Sequence, residues 1–182
     1  MKALNWILRI SPIVIMLSGC DYPREYRIFL TEIGEQAIPY RDFKVIHFID
    51  NNEMFATMEV NEDKTFWKED GEYSTHFVWE CRKVHLSSEQ CDLQFNIIVE
   101  SLDWYVPLNV CVKTSSGDVF RVYYDIMGLL GTYDSLEINR HVYYDVAVVK
   151  DCAGKDSKLY YNTDYGILQV TQNDKDIFTL VP

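Results

Sequence analysis

The strongest constraint on the fold is an alternation that runs from Tyr73 towards His85. Tyr73, Thr75, Phe77, Trp79 and Cys81 fall on one face of an extended chain, and Ser74, His76, Glu80 and Arg82 on the other. Successive side chains on a pleated backbone point to opposite sides, so a period of two marks a strand with one buried face. Such a strand needs partners. Leu93 to Val99 reads as its neighbour, with Asn96 at the centre in need of a hydrogen-bond mate. Phe43, Val45, His47 and Ile49 alternate too, and Phe55 to Val60 and Thr65 to Trp67 are short candidates.

Val110 to Thr114 and Val119 to Asp125 flank Ser115-Ser116-Gly117-Asp118, a hairpin turn by its residue types. His141 to Val149 is a further strand. Lys158 to Tyr161, Gly166 to Thr171 and Ile177 to Val181 are three short ones, joined by Asn-, Asp- and Gly-rich turns. The pattern predicts a mainly β fold, an antiparallel sheet that is curled or sandwich-like, with one short helix at most. Arg24 to Ile33 reads either as that helix or as a strand from Tyr26 to Thr31. Ile126 to Leu136 contains two glycines and reads as a loop or a helical turn.

The first twenty residues follow a different logic. Lys2 and Arg9 place positive charge at the start, Ile10 to Leu17 is a short apolar core, and small residues follow. That is the layout of an export signal, too short for a membrane span of about 20 apolar residues. Leu17-Ser18-Gly19-Cys20 then resembles the lipobox of bacterial lipoproteins. The resemblance covers this segment alone. It implies cleavage before Cys20, diacylglycerol on its sulfur and an acyl group such as palmitate on its amine. Several acyl chains make attachment effectively permanent, so the protein would be anchored to a membrane without spanning it.

In enteric-type lipoproteins an aspartate directly after the lipidated cysteine is similar to the signal that retains a protein in the inner membrane. Asp21 stands at that position. The resemblance therefore implies a protein held in the inner membrane and facing the periplasm. The chain then divides into a signal peptide at 1–19, a lipid-anchored tether and domain entry at 20–40, and a periplasmic β-rich domain at 41–182.

Removal of 19 residues from 182 leaves 163, the size of one domain. Apolar residues at 48% and charged residues at 25% exclude a disordered, collagen-like or coiled-coil chain. The formal charge of −11 becomes −13 once Lys2 and Arg9 leave with the signal. A surface of that sign repels nucleic acid and anionic head groups, and no nucleic-acid partner is expected.

Five cysteines less the lipidated one leave four in an oxidising compartment, which reads as two disulfides from three connectivities. Cys81 and Cys91 flank a segment that reads as a hairpin turning near Ser87 and Ser88, and would pair there. Cys111 and Cys152 would pair across a longer loop. The chain-entropy model assigns roughly 3 kcal/mol to the short bridge and roughly 4 to the long one. His76, Cys81, His85 and Cys91 are zinc-ligand types, but their spacing lacks the tight C-x-x-C or H-E-x-x-H pattern. No metal and no cofactor is expected.

Motifs for catalysis are missing. There is no G-x-S-x-G elbow, and Gly154-Lys155-Asp156-Ser157 puts a carboxylate where a phosphate loop would meet its anion. Asn173-Asp174-Lys175-Asp176 reads as a solvated turn. Asp125, Asp134 and Asp145 are candidates for a glycosidase-like carboxylate pair, although 28 acids make some such grouping inevitable. His47, His76, His85 and His141 lie on separate segments.

An internal echo remains. Val122-Tyr123-Tyr124-Asp125 recurs as Val142-Tyr143-Tyr144-Asp145 and, more weakly, as Leu159-Tyr160-Tyr161-Asn162. Tyrosine is a favoured strand residue, so the echo is first of all strand chemistry. Tyr124 and Tyr144 are also candidates for an exposed aromatic ledge on neighbouring strands.

The functional expectation is a non-enzymatic lipoprotein whose β domain binds a basic envelope protein. By class alone it is similar to inhibitors of lysozyme-like enzymes, toxin-immunity and phage-exclusion lipoproteins. The chain also resembles small enterobacterial inner-membrane lipoproteins with no assigned activity. A protein of that kind would disturb envelope quality control when overproduced. A cell-wall or carbohydrate-binding module using the exposed tyrosines is the alternative, and a hydrolase with an unmarked site ranks last.

Overall fold

The structure, a computed structural model, describes residues 24–50, 52–70, 75–102, 106–114, 117–125, 133–150 and 156–182. Twelve strands and one short helix follow in chain order: β1 (Arg24–Ile28), α1 (Glu32–Gln36), β2 (Val45–Asp50), β3 (Phe55–Asp70), β4 (Thr75–Ser87), β5 (Gln94–Glu100), β6 (Pro107–Thr114), β7 (Gly117–Asp125), β8 (Tyr133–Ile138), β9 (His141–Lys150), β10 (Ser157–Asn162), β11 (Gly166–Gln172) and β12 (Lys175–Val181). The fold is mainly β, as the alternation predicts. No helix among the described residues is long and apolar enough to cross a membrane.

The described residues form two compact units, one of 24–27 with 69–70 and 75–78, the other of 28–68 with 79–182. In the smaller, Tyr26 stacks on Phe77 at 5.5 Å and His76 meets Glu69 at 3.0 Å. In the larger, the sheet follows the order β7-β6-β5-β4-β3-β2-β12-β11-β10-β9-β8. From β2 to β7 and from β8 to β12 each strand lies beside its predecessor in the chain, β12 returns to pair with β2, and β1 pairs with β4. β7 and β8, the two ends of this order, share no ladder among the described residues. Residues of β7 come against β9, so the sheet curls around one core. Phe48, Met58, Leu86, Phe95, Ile97 and Val122 are buried there, and Phe48 and Phe95 meet with ring centres 5.6 Å apart.

Residues around α1 close part of this core. Thr31 caps the helix by accepting a hydrogen bond from the Gly34 amide at 3.2 Å. Beyond the helix, Ala37, Ile38 and Tyr40 are buried. The Tyr161 hydroxyl donates to the Ala37 carbonyl, and the Tyr40 hydroxyl accepts from the Ile167 amide at 2.7 Å. Gly166, at φ +79°, lets that ring approach, since a Cβ there would collide with the Tyr40 hydroxyl.

Several local expectations change. β4 extends to Ser87, and Val84 and Leu86 pair with Ile97 and Phe95 on the core side. That parity turns Arg82 inward, although the sequence pattern put it on the wet face, and Arg82 is 1% exposed. Its guanidinium grips Asp63 through two bonds of 2.8 Å and donates to the carbonyls of Glu35 at 2.9 Å and Ile38 at 2.7 Å. The two short candidates from Phe55 to Trp67 are one strand of 16 residues. Tyr133 to Leu136, expected in a loop or helical turn, belongs to β8, while 126–132 lie outside the described residues. The ambiguous entry segment divides into strand β1 and then helix α1.

Candidate functional site

Cys20 and Asp21, which head the functional expectation, lie outside the described residues, as does Cys152. The other cysteines are placed. The β4–β5 ladder pairs Ser87 with Gln94 and Cys81 with Glu100, so residues 88–93 make the turn and Cys91 sits within it. A strand rise of about 3.3 Å puts Cys81 about 20 Å from Ser87. A disulfide needs Cα atoms within about 7 Å. Cys81, Cys91 and Cys111 are free thiols, and the expected Cys81–Cys91 staple is absent. The turn falls entirely after Ser87, where symmetry about Ser87-Ser88 had been expected.

Cys81 is fully enclosed on the outward face of β4, beside Glu100. The Glu100 carboxylate takes hydrogen bonds from Lys68 at 2.5 Å and from the Trp79 indole at 3.0 Å. Burial, and next the Glu100 charge, pushes the Cys81 thiol up to about 12. Such a thiol is inert at neutral pH, because the thiolate is the reactive form.

The histidines are engaged one by one. His47 lies 3.4 Å from the Thr57 hydroxyl, and His141 packs on the Tyr143 ring at 4.6 Å. His85 meets the Asn96 side chain at 3.0 Å and is the mate that Asn96 required. Asn96 also pairs with Cys111 across β5 and β6, so Cys111, Asn96 and His85 form a row over three strands. Thiol and imidazole are on strands two apart, with backbones about 10 Å from each other, and the asparagine stands between them. That order does not let His85 take a proton from Cys111. Among the described residues no three metal-ligand side chains converge, His76, Cys81, His85 and Cys91 included.

The tyrosine echo is rearranged. Tyr123 and Tyr144 are the exposed members, at 50% and 64%. Tyr124 pairs with Leu108 in the β6–β7 ladder, and its side chain lies outside the described residues, as does that of Asp125. β7 and β9 touch but share no ladder among the described residues, so the echoed segments are not hydrogen-bonded neighbours. Tyr144 stands opposite Ser135 on the β8–β9 hairpin, where Tyr133 and Val142 are exposed too. Asp134 and Asp145 are both exposed on that hairpin, and Asp145 adopts φ +50°.

Two concave surfaces are acidic. Glu32, Glu35, Asp42 and Asp164, with Arg41, line one of about 560 Å³. Asp50, Glu53, Asp174 and Asp176, with Lys175, line another of about 640 Å³. The Asp50 carboxylate accepts the amides of Asn52 and Met54, each at 2.8 Å, which fixes its loop and lowers its pKa. A third hollow of about 240 Å³ is mostly apolar, between Tyr40, Phe43, Ile46, His47, Tyr165 and Leu180. No sequence signal marks these groupings, because each joins residues from distant parts of the chain. No family model matches the chain, and no curated protein or solved structure matches it.

Proposed function

We propose that this chain is a lipid-anchored lipoprotein of the inner membrane whose β domain faces the periplasm and binds a basic envelope protein, without catalysing a reaction. The anchor follows from Leu17-Ser18-Gly19-Cys20, which resembles a lipobox, and the membrane from Asp21 directly after it. The observation that carries the binding role is the pair of acidic hollows, each with four carboxylates, on a chain of net charge −11. Such a surface attracts a cationic partner from a distance and speeds its association, in a way that salt weakens. Overproduction would load lipoprotein handling and raise an envelope stress response. Unchanged stress-protease expression would remove that part.

Photocrosslinking in cells from position 35 or 164 tests the binding role. The expected result is a discrete protein adduct that disappears with Asp42→Lys and leaves the amount of folded protein unchanged. Absence of any adduct from either position would sink the proposal. A second reading, attachment to the cell wall or another carbohydrate, is favoured by one observation: Tyr144, Tyr133 and Val142 are all exposed on the β8–β9 hairpin. Aromatic rings of this kind stack on sugars. Retention on peptidoglycan that Tyr144→Ser abolishes would move this reading ahead.

A further inference from the structure

Near the start of the larger unit, Phe29 is 63% exposed and Trp67 44% exposed, and their rings meet edge to face at 5.3 Å. Ile33, in the first turn of α1, is also exposed. Two large aromatic side chains are thus held together and left in water. Cys20 lies nine residues before Phe29 in the sequence. A fully extended chain of nine residues spans at most about 30 Å, comparable to the hydrocarbon thickness of a bilayer. A lipid on Cys20 therefore holds Phe29 within about 30 Å of the membrane surface.

We infer that Phe29 and Trp67 dock into the head-group layer of the membrane that holds the lipid, so that the domain is seated on the bilayer. The inference rests on the lipid-anchor reading above. Tryptophan and other amphipathic rings favour that layer, where the ring is desolvated and its polar edge stays wet. Lys68, the neighbour of Trp67, is tied to Glu100 at 2.5 Å, and the chain as a whole is acidic. The contact is thus apolar, and salt leaves it intact.

The test uses the full mature lipoprotein in vesicles of phosphatidylethanolamine with a minor share of phosphatidylglycerol, some acyl chains carrying bromine as a quencher. The expected result is that the protein floats with the vesicles and that Trp67 emission, taken as the difference from Trp67→Phe, is roughly halved by the brominated chains at low and high salt. Phe29→Ser, with thermal unfolding unchanged, reduces that quenching while the protein still floats. A protein that floats with Trp67 unquenched overturns the seating alone, and the patch then belongs to a protein partner. A protein that fails to float overturns the lipid anchor and the seating with it.

Discussion

Arg82 brings a positive charge to the core side of the sheet and meets four acceptors there: both Asp63 oxygens and the carbonyls of Glu35 and Ile38. An enclosed guanidinium is tolerated only when paired, so the partner's loss costs more than the pair itself contributes. Asp63 is 27% exposed, which places the effect at the low end of the usual range. Asp63→Ala is expected to destabilise the fold by about 3 kcal/mol, a fall in Tm of about 10 °C by calorimetry. Asp63→Asn, which keeps one acceptor, should lose less. An Asp63→Ala protein as stable as the parent would mean that Arg82 is not enclosed as described. Cys81 offers a second test. Its thiol is raised by burial to about 12 from an ordinary value of 9, so the fold favours the neutral form. That preference acts in full below pH 9 and is lost as the pH climbs towards 12. Peptide mapping after iodoacetamide treatment at neutral pH should show Cys91 modified well ahead of Cys81.

Elements were legible where short apolar or alternating runs were bounded by polar turn residues. β5 and β9 to β11 match the expected strands to within a residue at each end, whereas β6 starts at Pro107, β7 at Gly117 and β12 at Lys175, each earlier than expected, and Gly117 and Asp118 belong to β7 instead of a turn. β4 was legible as a strand but not in its facing. Phe77 and Trp79 made the odd-numbered face look like the buried one, whereas Val84 and Leu86 set the inward face through their pairing with Ile97 and Phe95. Pairing decides facing, and pairing is not local information. The same difficulty defeats the cysteine reading, since the turn begins only after Ser87 and holds Cys91 within it, a length of strand away from Cys81. Adjacent positions of β5 measure the parity directly. Ile97 is fully buried and Ile98 half-buried on the other face. Ile97→Ala should cost about 3 kcal/mol and Ile98→Ala roughly 1, in denaturant titrations with equal slopes. Reversed values would put the strand the other way round.

For the whole molecule, a chain whose Cys81, Cys91 and Cys111 are free thiols is built around one buried core. That core draws on residues from β2 to β12, and the segment after α1 fills part of it. A mainly β, antiparallel sheet was legible from strand spacing, but that spacing does not choose between a curled and a sandwich-like sheet. The acidic hollows and the Phe29–Trp67 pair were not, because they join positions that only the fold brings together. The net charge that suits a basic partner was legible from composition alone. The central claim, a protein held by lipid in the inner membrane, is tested most directly by separating inner and outer membranes from cells expressing the native chain, Asp21→Ser or Cys20→Ala. The account predicts native protein in the inner membrane, Asp21→Ser shifted to the outer membrane, and Cys20→Ala in neither as a lipid-anchored form. Native protein found in the outer membrane would contradict the role given to Asp21, and Cys20→Ala behaving like the native chain would contradict the anchor itself.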